Sequence, residues 1–168
     1  GVVTEPIEQQ LLSFTAAPPE IQKITFGAVT GTGSVAITTG SVTVSGITLT
    51  NNDSAATVAR NVVTALNNDT GFVNAGRRAV NNGDGSINVI YAAADGNIAD
   101  ATVALTTSTM SPSNSVSAVS TGTGTITVGG VSVSTIVAGD SAVAVAGKVK
   151  TALDASTFIS NNAGRIKR

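Results

Sequence analysis

The sequence predicts an α+β protein of tandem β-rich modules, each an antiparallel sheet or sandwich with one covering helix, the second module incomplete. Three observations predict it. Residues 39–50 (TGSVTVSGITLT) align without a gap on residues 123–134 (TGTITVGGVSVS). Residues 53–66 align on residues 140–153 with 9 of 14 positions identical, and Asn74-Ala75-Gly76-Arg77 recurs as Asn162-Ala163-Gly164-Arg165. Apolar residues alternate through most of the chain but fall at helical spacing in the segments that begin at Asp53 and Asp140. A unit repeated at a period of about 90 residues is built to pack and extend.

The repeat divides the chain into an arm (residues 1–19), a first module (20–111) and a second, truncated module (112–168). This arm or linker has no counterpart in the repeat. Ile7, Leu11, Leu12 and Phe14 form a small apolar group in it, and Pro18-Pro19 stiffens the entry to the first module. Residues 21–29 read as one strand with Ile24 and Phe26 on a shared face, followed by a Thr30-Gly31-Thr32-Gly33 turn that Thr121-Gly122-Thr123-Gly124 echoes. Residues 34–38 form a second strand with Val35 and Ile37 on one face.

The best turn signal lies in the second copy. Ile126 and Val128 lead into Gly129-Gly130, and Val131 and Val133 follow at alternate spacing. Two glycines between alternating runs predict a primed-type hairpin turn, because glycine takes positive φ without steric cost. On the same alignment the first copy places its turn at Ser45-Gly46, between Val42/Val44 and Ile47/Leu49.

A helix follows each hairpin. Ala55, Val58, Ala59, Val62, Val63 and Leu66 lie on one helical face, and Ala142, Val145, Ala146, Val149 and Leu153 repeat it. Asp53-Ser54 and Asp140-Ser141 stand where an N-cap is wanted, and the two aspartates are read as helix caps. Past Phe72 and Val73, the loop 81–85 (NNGDG) leads to a strand with Ile87, Val89 and Tyr91 in alternation. Asp95-Gly96-Asn97 then turns the chain into a strand carrying Val103 and Leu105, closing the first module as a hairpin that the second copy lacks.

Composition excludes several functions. The chain has no Cys, no His and no Trp, which removes thiolate metal sites, the commonest general base and the commonest transition-metal ligand. Nine basic against ten acidic residues, with four Phe and one Tyr, offer neither a counterion-displacing patch nor a stacking surface, so no nucleic-acid partner is expected. No apolar run reaches the length that spans a bilayer, so no membrane is expected.

Among the acidic residues (Glu5, Glu8, Glu20, Asp53, Asp69, Asp84, Asp95, Asp100, Asp140 and Asp154) no pair is marked for acid–base work. The loop 81–85 is oxygen-rich but lacks the staggered ligands and terminal Glu of a calcium loop, and Asp84 in it reads as turn chemistry. Arg77-Arg78 and Arg165, Lys167 and Arg168 form basic clusters at equivalent points of the two copies, read either as solvated loops or as a surface for an acidic partner subunit. The expectation is no catalytic, cofactor-binding or metal residue, and no enzyme.

The run Gly130-Val131, Ala138-Gly139-Asp140-Ser141-Ala142, Val145-Ala146, Ala152-Leu153 resembles β-rich repeat modules of tailed-bacteriophage virion structural proteins, tail sheath-like and related. Residues 86–91 and Gly96-Asn97 match the closing part of that pattern, and a looser similarity exists to a motif of flagellar-cap proteins. The resemblance implies a non-enzymatic assembly protein of a virion (tail, baseplate or capsid-associated), located in the particle and partnered by copies of itself or other virion proteins, with no cofactor. The alternatives are a bacterial surface adhesin repeat that binds a glycan or host protein, and a glycan-active enzyme or its accessory domain. The missing closing strands of the second copy are expected to come from outside it: another chain, residues beyond 168, or the arm.

Overall fold

The computed structural model describes residues 11–14, 17–120, 124–137 and 140–156. The protein is mixed α+β, with antiparallel sheets and, among the described residues, three helices.

The predicted first strand is two. β1 (Ile21–Thr25) and β2 (Ala28–Thr30) are separated at Phe26-Gly27 and pair with different partners. Ile24 and Phe26 are both buried, as their shared face requires. Gly27 is where the backbones touch: a Cβ there would stand 1.9 Å from the Pro112 carbonyl oxygen. Only a residue without a side chain admits that approach.

β3 (Gly33–Thr39) and β4 (Val42–Leu49) form the first hairpin, and its turn is not at Ser45-Gly46. The chain reverses at Gly40-Ser41, where Gly40 has φ +54. Ser45-Gly46 instead lies inside β4 as a β-bulge: Val35 faces Ile47 and Ile37 faces Val44, so two residues oppose Ala36 alone. Gly46 takes φ +72 there. The bulge explains why the apolar residues of this strand change phase between Val44 and Ile47. Val44, Ile47 and Leu49 all stay inward because the extra residue resets the alternation.

α1 (Ala55–Asn68) buries Val58, Ala59, Val62 and Leu66, each worth about 1.5–3 kcal/mol for the larger side chains. Its N-cap is Ser54, whose hydroxyl accepts from Thr57 N, and not Asp53. Asp53 holds the preceding loop by accepting Thr50 N–H at 2.8 Å. A second, short helix, α2 (Thr70–Asn74), follows at once, capped by Asp69 and burying Phe72.

β5 (Arg78–Asn81) and β6 (Ser86–Ile90) flank the Asn-Gly-Asp loop, and β6 pairs on its other side with β1. The predicted closing hairpin does not form. The strand carrying Val103 and Leu105, β7 (Thr102–Thr106), pairs with β3 in another sheet. The eleven residues from Tyr91 to Ala101, including a single 3-10 turn at Ala93–Asp95, are far longer than a hairpin loop and carry the chain from one sheet to the other. β8 (Thr109–Ser111) pairs with β2, and β9 (Ser115–Ser120) adds to the edge of β1. The two main sheets run β5-β6-β1-β9 and β4-β3-β7, and one core draws on both together with α1.

β10 (Gly124–Val128) and β11 (Val131–Ile136) form a second hairpin, followed by α3 (Ala142–Ala155). Its turn is at Gly129-Gly130, with φ +56 and +80, the double positive φ of a type I′ turn. The geometry re-registers the repeat. Gly40-Ser41 corresponds to Gly129-Gly130, five residues away from the position that sequence alignment assigns.

The bulge recurs in this new register, with Gly124 facing Ile136 and Ile126 facing Val133. The Thr38–Thr43 hydroxyl contact (2.9 Å) recurs as Thr127–Ser132 (3.2 Å). β11 also begins with the same inward–outward pattern as β4. At the helix, Ser141 caps Ala144 N and Asp140 accepts Val137 N–H at 2.8 Å, as Ser54 and Asp53 do in the first copy. A separate small core of Val133, Ile136, Val145 and Val149 results.

Candidate functional site

Most of the described acidic residues make structural contacts. Asp53, Asp69 and Asp140 satisfy backbone N–H groups at helix entries. Asp84 accepts from Ser86 N (3.0 Å) and from its hydroxyl, and meets Lys23 at 3.1 Å. Those hydrogen bonds, Ser86 first and then Lys23, hold its carboxyl below the usual range. Asp154 pairs with Lys150 on the surface of α3. Among the described residues no three His, Cys, Asp or Glu side chains converge as metal ligands. Glu5, Glu8, Arg165, Lys167 and Arg168 lie outside the described residues.

Arg77 is neither a solvated loop residue nor a docking residue. It is buried, and its guanidinium bonds the Thr39 carbonyl and, at 3.2 Å, both Thr39 Oγ1 and Asp95 Oδ2, 5.3 Å from the Tyr91 ring centroid. The hairpin turn, the Asp95 turn and Tyr91 are therefore tied through one cation. Arg78 beside it is exposed.

Next to Tyr91 lies a buried polar group that the sequence reading missed. Gln22 is fully buried, accepting from Tyr91 Oη at 2.8 Å and Ala101 N at 2.7 Å and donating to Glu20 and to the Ala99 carbonyl. Glu20, also buried, accepts from Ile98 N at 2.6 Å. Burial drives the Tyr91 hydroxyl well above its ordinary range. Every polar side-chain atom named here is matched with a partner, so the cluster pins the 92–101 crossover. The available signal was Glu20-x-Gln22 in register with Ile24, which puts polar residues on an inward face.

The helix α3 is less covered than α1. Ala59 and Leu66 of α1 are fully buried because β4, β5, β6 and α2 surround that helix. Their equivalents on α3, Ala146 and Leu153, are only half-buried, and α3 packs mainly on β11. An open groove of about 290 Å³ runs past Ala146, Val149 and Leu153, with Leu12 and Phe14 of the arm at its other wall. A second, of about 510 Å³, lies on the far flank past Ala144, Gly147, Thr151 and Ala152. Val145 and Val149 of this stripe are buried in α3, while Ala146 and Leu153 stay partly exposed beside the groove.

Among known proteins, no family model matches the chain and no curated protein matches it.

Proposed function

We propose that this chain is a non-enzymatic structural protein that works by subunit packing, a bacteriophage virion component of the tail, baseplate or capsid-associated kind. In this reading it consists of two tandem β-rich modules, the second incomplete. One observation carries the packing role: the apolar stripe buried in α1 is left accessible in α3 at Ala146 and Leu153. Neighbouring subunits, copies of this chain or other virion proteins, cover that stripe and the open edges of the β10–β11 ribbon. Association then stabilises the second module by mass action. The virion setting is supported by the resemblance of the Gly130–Leu153 run to phage structural modules.

The test is the mass of the purified chain in solution, read by mass photometry and sedimentation, beside negative-stain images. Regular oligomers are expected, and Leu153→Asp should return them to smaller species with the first module still folded. A chain that stays monomeric at every concentration and gives a single saturable hit on a glycan array would overturn the reading in favour of the adhesin.

A further inference from the structure

The arm makes one contact whose counterpart in the first module identifies what the arm is. Ala17 N donates to the Asp140 carbonyl at 2.8 Å. In the first module the equivalent carbonyl, that of Asp53, accepts from Val29 N at 2.9 Å. Asp53 and Asp140 correspond without ambiguity: each carboxylate takes the N–H three residues before it, and each is followed by the capping serine. Ala17 therefore stands where Val29 stands. Three residues earlier, Phe14 packs against the Val133, Ile136, Val145 and Val149 core as Phe26 packs into the first core.

These two matches define a shift of twelve residues, and the sequence obeys it beyond them. Residues 8–17 (EQQLLSFTAA) against residues 20–29 (EIQKITFGAV) place Glu on Glu, Gln on Gln, Phe on Phe and Ala on Ala, with Leu on Ile and Ser on Thr between. The Glu-x-Gln pair is the informative part. An alternating strand seldom turns two polar side chains inward, and Glu20 and Gln22 do so in the first module. The residues that precede the second hairpin cannot serve instead, because β9 is already paired with β1 at the edge of the first sheet.

We infer that residues 8–17 are a second sequence copy of the Glu20–Val29 segment, and that its described end, at Phe14 and Ala17, docks on β11 and α3 of the same chain as Phe26 and Val29 dock in the first core. The inference stands independently of the virion reading, since it concerns contacts within one chain.

Hydrogen exchange on the full-length chain tests it, with α3 peptides as readout and α1 peptides as internal control. Ala17→Pro removes the donor, and Phe14→Asp removes the apolar anchor. Each should accelerate α3 exchange by about fivefold or more while α1 is unchanged. A chimera carrying EIQKITFGAV at positions 8–17 should keep α3 protected, whereas a scrambled segment of the native composition should not. Unchanged α3 exchange in both point variants, or equal protection by the scrambled segment, would overturn the inference. Exchange is read at a concentration where mass photometry finds single chains; native α3 unprotected there would also overturn the inference, because the segment would then come from another copy.

Discussion

Arg77 shows how little a residue's type says about its work until its neighbours are known. Exposed, it would be one of several loop cations. Buried, it spans Thr39, Asp95 and Tyr91, and its planar fork makes those bonds at once. Arg77→Lys keeps the charge but loses the geometry. It should destabilise the first core by about 1–3 kcal/mol in urea unfolding, and Arg77→Ala by about 3–5. Equal stability of the native protein and Arg77→Lys would show that the charge alone matters.

Asp140 carries a pH dependence of known sign. Its hydrogen bonds, first from Lys148 (2.6 Å) and then from Val137 N, hold its carboxyl below the ordinary value. A lowered native pKa stabilises the fold above the unfolded value, about 3.9, and that contribution is lost as pH falls through the native one. Acidification below about pH 4 should therefore loosen the β11–α3 junction. In Asp140→Asn the junction should be weaker at neutral pH and lack this acid transition, which segment-resolved NMR shifts would report.

At the scale of elements, α1 and α3 form a natural experiment: one stripe, two surroundings. Leu66 is fully buried, and Leu66→Ala should cost about 2–5 kcal/mol by transfer and cavity terms together. Leu153 is only half-buried, so Leu153→Ala in the single chain should cost about 1 kcal/mol or less. A comparable loss at both sites would mean that α3 is already covered in the free chain. The hairpins make the same point about local code. Gly129-Gly130 identified its turn correctly, while Ser45-Gly46, with similar turn chemistry, became a bulge because β4 continues past it along β3.

For the whole molecule, the two hairpin–helix units differ in what surrounds them rather than in themselves. The first is enclosed by two sheets, a short helix and a crossover pinned by Glu20 and Gln22. Among the described residues the second has its ribbon, its helix and the end of the arm. Stability should follow that difference. Heating the chain at low concentration should melt the β10–β11–α3 unit first, and association should raise that transition alone.

By itself, the sequence determined the α+β class, both helices with their apolar stripes, the Gly-Gly turn, the inward alternation of Val35, Ile37, Ile87 and Val89, and the recurrence of the hairpin–helix unit. These are legible because their causes act within a turn of helix or between neighbouring residues of a strand. Tertiary structure alone decided which strands pair, where the first hairpin turns, why polar Glu20 and Gln22 face inward, and where Phe14 and Ala17 pack. Ladder hydrogen bonds join backbone groups that are the same in every residue. Partners dozens of residues apart are therefore chosen by the packing of the whole molecule, which no short stretch of sequence spells out.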